Sequence, residues 1–257
     1  MAQLKILGSC SGTEPMPDRL HTSLMLTAGD RIYFFDAGEG CSRTAHLSGA
    51  DILKTRAIFI SHTHYDHIGG LPGLFWCMRK VSKMTKRPTA DGIVKLFIPD
   101  IGSWEGAYAM LCHMEGKFAK EFAVSVDVPK FGTFYQDENI KVTAFESHHI
   151  PHAEDGHCRA FSYRIETNGK AVVFSGDVRD MDDLVDPIGE GCDFLLCESG
   201  HHKIQTICDF ADSKKVGQLV LMHHGREMLQ KAPTALAAIA GCKTPVVVAD
   251  DGLTLEI

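Results

Sequence analysis

Arg56-Ala57-Ile58-Phe59-Ile60-Ser61-His62-Thr63-His64-Tyr65-Asp66-His67 passes from an apolar run directly into three histidines and an aspartate. The first five residues read as a buried strand and the polar residues as the tight loop that follows it. Imidazole nitrogens and carboxylate oxygens suit zinc, with manganese and iron as alternatives, and no cysteine stands near to make a structural thiolate site. In such a loop His62 and His64 point to one side while Asp66 and His67 point to the other. Each pair supplies half a coordination sphere, so the spacing predicts two neighbouring divalent ions.

More ligands are then needed, and other strand ends offer them. Ala171-Val172-Val173-Phe174 runs into Ser175-Gly176-Asp177, Leu219-Val220-Leu221-Met222 into His223-His224, and Val142-Thr143-Ala144-Phe145 into Glu146-Ser147-His148-His149. Ends of strands on one edge of a sheet converge in space however far apart they lie in the chain. Asp177 is placed to bridge both ions, where its charge offsets the repulsion of two dications ~3.5–4 Å apart. His223 directly follows its strand and is preferred as a ligand, which leaves His224 to point towards substrate. For the remaining ligand the strand-end position favours His149, with His148, His152 and His157 as the alternatives in the same segment.

At 257 residues, 44% hydrophobic and 23% charged, the chain has the composition of an ordinary globular protein, long enough for one well-buried core. No internal repeat or linker-like tract interrupts it, so a single domain over residues 1–257 is expected. Strand-like runs from Leu4–Leu7 to Pro245–Ala249 occur in groups as well as alternating with helical patterns such as Arg43–Ser48, Leu71–Val81, Trp104–His113, Met181–Asp186 and Ile204–Lys215. That grouping predicts two sheets packed face to face with helices outside, a four-layer αββα sandwich of the α+β class. The first residues carry too short an apolar run for a signal peptide, and none approaches the ~20 residues that span a membrane. Nine cysteines, odd in number and without close pairing, read as reduced thiols. A cytoplasmic protein with no membrane partner is expected. A net charge of −7 gives little for a polyanion to grip, and the one basic cluster, Arg79–Arg87, reads as a solvated helix face.

Several segments carry a family resemblance. The chain begins Leu7-Gly8-Ser9-Cys10-Ser11-Gly12-Thr13-Glu14-Pro15, then Arg19, then Phe34-Phe35-Asp36-Ala37-Gly38-Glu39-Gly40, and follows the histidine loop with Gly69-Gly70-Leu71-Pro72-Gly73-Leu74. Shorter matches are Ser162-Tyr163-Arg164-Ile165-Glu166, Phe174-Ser175-Gly176-Asp177 and Leu219-Val220-Leu221-Met222-His223. In order and spacing these resemble the metallo-β-lactamase superfamily and, within it, the ribonuclease Z-like branch. The resemblance implies the metallo-β-lactamase fold, with His62, His64, His149 and Asp177 on one metal and Asp66, His67, Asp177 and His223 on the other. Two departures limit it. The Gly/Pro-rich basic arm that grips tRNA in ribonuclease Z enzymes is not evident in residues 75–141. The late His-Ser-Thr segment is replaced by Glu198-Ser199-Gly200-His201-His202, similar to the Glu-x-x-His of other phosphodiesterase branches. The resemblance therefore implies the hydrolytic core and does not extend to tRNA processing.

The chemistry expected is attack on phosphorus by hydroxide generated on two divalent ions, zinc first. Asp66 both ligates and orients the nucleophile, and His201, with Glu198 behind it, donates a proton to the leaving group. Asp36 hydrogen-bonds the metal loop. The substrate classes are a nucleotide, a small phosphodiester or an RNA end. A sulfuryl or carboxylic ester hydrolase on the same site, and a non-hydrolytic metal or redox protein, are the alternatives, and a homodimer is left open. Replacing Asp177 with Ala is expected to strip at least one metal ion per chain and to abolish turnover; elemental analysis of the purified variant checks it, and full metal content with normal turnover overturns the assignment.

Overall fold

The computed structural model describes residues 2–12, 16, 18–114, 118 and 120–257, so Thr13-Glu14-Pro15 of the N-terminal motif lie outside the described residues. Two compact units divide the chain. One comprises Met1–Gly8, Leu20–Pro129 and Asp251–Glu256, the other Ser9–Arg19, Lys130–Asp250 and Ile257.

The first unit is built on β1 (Gln3–Gly8), β2 (Ser23–Ala28), β3 (Arg31–Ala37), β4 (Thr55–Phe59), β5 (Ile93–Phe97), β6 (Ala123–Asp127) and the late strand β14 (Thr254–Glu256). Their order is β14-β1-β2-β3-β4-β5-β6. The β14-β1-β2-β3 part is antiparallel, and β3 to β6 are parallel. The parallel strands need crossovers, and α1 (Cys41–Leu47), α3 (Leu71–Thr85) and α4 (Ile101–Cys112) supply them, with the short α2 (Tyr65–Ile68) before α3. In α3 the buried residues Leu71, Leu74, Phe75 and Met78 recur at helical spacing and pack with Phe34, Ile58 and Leu96 of the sheet. The opposite sheet face is also buried, and there Phe59 stacks between Phe35 (4.9 Å between ring centres) and Phe97 (5.3 Å). Burial on both faces explains why β3 and β4 read as almost unbroken apolar runs.

The basic cluster departs from its sequence reading. Arg79 is buried, its guanidinium 4.9 Å from the Trp76 ring centre and 5.7 Å from that of Phe118, so the first basic residue stacks on aromatics and does not face solvent.

The second unit repeats the same plan without sequence likeness. Its strands are β7 (Gly132–Gln136), β8 (Lys141–Glu146), β9 (Phe161–Thr167), β10 (Lys170–Phe174), β11 (Cys192–Ser199), β12 (Val216–His224) and β13 (Val246–Val248), adjacent in that order. β7 to β10 are antiparallel, and β10 to β13 are parallel. The crossovers are a 3-10 turn (Met181–Leu184) continuing into α5 (Val185–Ile188), α6 (Ile204–Ser213), and α7 (Arg226–Leu229) with α8 (Pro233–Gly241). Val173, Leu195, Leu219 and Leu221 meet Ile204, Ile207, Ala211, Ala235 and Ala238 in one cluster. In both units an antiparallel meander thus leads into parallel βα repeats, so β10 stands where β3 stands and β11 where β4 stands. Among the described residues no helix is long and apolar enough to cross a membrane.

Phe59, fully buried and stacked on both sides, is expected to cost about 3–5 kcal/mol on truncation to Ala. Equilibrium denaturation should show it as a lower midpoint with little change in slope.

Candidate metal centre

In the first unit β3 and β4 are parallel, so Asp36 near the end of β3 and the loop after β4 share one sheet edge. The Asp36 carboxylate is fully buried and accepts three hydrogen bonds: from the Ser61 backbone N–H (2.6 Å), the Ser61 hydroxyl (2.7 Å) and His67 Nδ1 (2.6 Å). The last bond leaves the lone pair of His67 on Nε2, which lies 3.5 Å from an Asp66 oxygen. Because the Ser61 hydroxyl hydrogen goes to Asp36, its oxygen accepts from His62 Nδ1 at 3.1 Å, and the His62 lone pair likewise falls on Nε2. His62 Nε2 is 3.0 Å from His64 Nδ1. Two imidazoles sharing one zinc at ~2.0–2.1 Å bonds in a tetrahedral site stand about 3.3 Å apart, so the pair fits a common divalent ion. A close backbone approach holds the loop: a Cβ on Gly70 would meet the Gly38 carbonyl at 2.1 Å, and Gly70 N–H bonds the Ala37 carbonyl at 2.8 Å.

In the second unit β8, β10, β11 and β12 all run the same way, which brings their C-terminal ends to one edge. Asp177 follows β10 and is almost fully buried. One of its oxygens faces His149 Nε2 at 3.6 Å and the other faces His223 Nε2 at 3.4 Å. The Asp177 carboxylate thus presents each of its oxygens to a different imidazole. His201 Nδ1 stands 3.7 Å from Asp177 and 3.1 Å from Glu198 Oε1, so Asp177, His201 and His223 form one donor group. Glu198 is buried. Burial alone would push its carboxyl up, but hydrogen bonds from His201 and His202 outweigh that and hold its pKa at about 2. Its Oε2 also accepts the backbone N–H groups of Gly200 (3.0 Å) and His201 (2.9 Å). His223 has a left-handed backbone (φ 49°), and a Cβ on Gly200 would meet its Nδ1 at 2.8 Å; only glycine leaves the ring that space.

The histidine-rich segment sorts itself within this unit. His149 turns to Asp177, His148 Nδ1 bonds Asp183 at 2.6 Å, His152 contacts Glu146, and His157 Nδ1 lies 3.1 Å from Asp155. His224 differs from its expected role. It is buried, with Nδ1 at 2.9 Å from the Ser199 hydroxyl and Nε2 donating to the Ala249 carbonyl at 2.8 Å. Burial lowers its pKa to about 4, so it is a neutral internal strut and not a substrate contact. Two contributors escaped sequence reasoning. The Ser147 hydroxyl donates to the Asp177 carbonyl at 2.5 Å, tying the His149 segment to Asp177, and Asp183 anchors His148. Ser147 sits in the quoted strand-end run, but nothing in that run tells which carbonyl its hydroxyl reaches.

A sequence profile of the family described as Anti-Pycsar protein Apyc1 matches residues 2–239. The chain belongs to the anti-Pycsar protein Apyc1 family. This Apyc1-family chain is also similar to ribonuclease Z of Methanothermobacter thermautotrophicus, at 26% identity covering 100% of the chain and 97% of the relative. Ribonuclease Z of Pyrococcus horikoshii is 27% identical, covering 87% and 86%. Among solved structures, the metallo-β-lactamase fold protein YhfI of Bacillus subtilis superposes with a TM-score of 0.76 at 16% identity, over 99% of this chain and 98% of that one. The short form of human tRNase Z gives 0.72 at 20% identity, over 99% of each. The fold is therefore the metallo-β-lactamase fold expected from the sequence. The Apyc1-family chain is a metal-dependent hydrolase of the ribonuclease Z-like branch of that superfamily, and its clustered histidines and aspartates are candidate donors for a divalent metal.

Asp36→Asn keeps the size of the side chain but removes the charge that holds His67 Nδ1–H. Metal affinity is expected to fall about 10–100-fold with little change in secondary structure; competition against a chromophoric chelator measures it.

Proposed function

We propose that residues 1–257 work as one binuclear hydrolase domain that cleaves a small phosphodiester or nucleotide. The observation that carries the reading is Asp177, whose two oxygens face His149 and His223 separately. Zinc takes four ligands in a tetrahedral site, and neither unit's donors fill two such spheres alone. The ligand sets proposed are His62, His64, His149 and Asp177 for one ion and Asp66, His67, Asp177 and His223 for the other. Zinc is the first candidate, with manganese or iron as alternatives. Bound divalent ions supply Lewis acidity and make water acidic enough to react near neutral pH.

The residues divide the remaining work. Asp66 orients the nucleophile as well as ligating. His201 presents a proton to the leaving oxygen, and the Glu198 carboxylate at 3.1 Å holds its ring and stabilises the charged form. Asp36 keeps His67 in the tautomer that ligates. The protein is placed in the cytoplasm, which its odd, scattered cysteines support.

A small substrate is favoured over tRNA by three observations. Residues 75–141 are largely taken up by the packed elements α3, β5, α4, β6 and β7. The alignment with the Methanothermobacter ribonuclease Z spreads this 257-residue chain over 314 positions, so that relative carries segments absent here. Net charge of −7 also disfavours a large polyanion.

Purified protein is expected to hydrolyse bis-p-nitrophenyl phosphate and at least one cyclic nucleotide, to lose all turnover with chelator, and to regain it with added zinc. Turnover confined to aryl sulfate or lactam substrates, or indifferent to chelator, overturns the proposal.

A further inference from the structure

β8 ends at Glu146 and β9 begins at Phe161, which is its partner in the ladder. The segment between them carries His149, yet among its described elements no helix or strand stiffens it. Its base is closed by the Ser147 N–H bond to the Ala160 carbonyl at 2.9 Å. Its tip is a tight turn, with Ala153 N–H bonded to the His157 carbonyl and Gly156 N–H to the Ala153 carbonyl, both at 2.9 Å. Three side chains converge inside this segment. Glu146 comes from the end of β8, His152 from the rising limb and Cys158 from the returning limb. Carboxylate oxygen, imidazole nitrogen and sulfur all lie within 4.8 Å of one another.

The chemistry of that trio is distinct from the donor sets above, which hold no sulfur. Cys158 is buried, and its thiol donates to the Ala160 carbonyl at 3.1 Å. Burial, with the charge of Glu146 adding to it, pushes the thiol up to about 11, so with no cation the Glu146 charge opposes ionisation of the Cys158 thiol. A divalent ion reverses that opposition, because it attracts both. Carboxylate, imidazole and thiolate together suit zinc and its thiolate-tolerant neighbours and do not suit magnesium or calcium.

We propose that Glu146, His152 and Cys158 form a further divalent-cation site, for zinc or a similarly thiolate-binding ion, that clips both limbs of the segment to the end of β8 and so fixes where His149 is presented. Binding forms a bond from the ion to Sγ as the Cys158 proton leaves to solvent, with no oxidation or reduction. Three protein donors leave the fourth tetrahedral position to water. The site stands independently of the phosphodiesterase reading.

Cobalt(II) is the probe, because a cobalt–thiolate bond gives an intense charge-transfer absorption in the near ultraviolet that nitrogen and oxygen ligands do not. Chelated protein refilled with cobalt is expected to show that band, and Cys158→Ser to lose it together with one equivalent of ion per chain. His152→Ala, at an exposed position, is expected to bind that same equivalent at least about tenfold more weakly. If Cys158→Ser fails to fold by circular dichroism, the ion count of His152→Ala decides alone. Absence of the band in refilled wild-type protein, its persistence in Cys158→Ser, or equal ion content and affinity in wild type and His152→Ala overturns the proposal. Failure of the phosphodiesterase reading would appear in the substrate panel and would leave these differences untouched.

Discussion

A buried carboxylate with nowhere to send its charge is the constraint on which the metal loop depends. Asp36 is fully enclosed and adopts a left-handed backbone (φ 57°) at the end of β3. An ion in that position is tolerable only if every lone pair it presents is engaged. Ser61 and His67 engage them, and in doing so they fix the start of the loop, the tautomer of His67 and, through the Ser61 oxygen, that of His62. The orientations of His62 and His67 are therefore set by hydrogen bonds within the fold.

The second unit meets the same demand with different residues. Its topology repeats that of the first, and Asp177 follows β10 as Asp36 closes β3. There the acid faces imidazoles directly, and the orienting role passes to Glu198, at the end of β11, which is the equivalent of β4. Glu198 holds His201 and His202 and accepts three backbone N–H groups, from Val178, Gly200 and His201, so its charge is as fully engaged as that of Asp36. One plan, an acid at the end of a parallel strand beside histidines, thus serves twice: Asp36 holds one imidazole by a hydrogen bond, and Asp177 faces two.

The candidate donors and the rest of the chain differ in how firmly the fold holds them. The donors and their orienters lie on strand ends, where the backbone ladder leaves little freedom. The loop carrying His149 lies between β8 and β9 with no helix or strand of its own, and the stretch from α3 to β7 is a succession of packed elements. Trp76, Arg79 and Phe118 show that even basic residues in that stretch are committed to packing.

Much of this was legible in the sequence because period and adjacency are local properties. The abrupt change from an apolar run to His62-Thr63-His64-Tyr65-Asp66-His67 marks a strand end and a donor set with no knowledge of the rest of the chain, and the same holds for Asp177 and His223. Helices α3, α4 and α6 are readable from spacing alone, and so is the helical stretch from Met181, which the structure divides into a 3-10 turn and the short α5. The edge strands β6, β7 and β14 carry too few buried residues to announce themselves. What only the tertiary structure decided is which member of each adjacent pair does the work. His148 and His149, or His223 and His224, are equivalent as residue types. A bulge in the β11–β12 register and the left-handed turn at His223 send one ring to Asp177 and its neighbour into the interior against Ser199 and Ala249. Sequence determined that donors exist at the strand ends; backbone geometry, which depends on partners far away in the chain, determined where each one points.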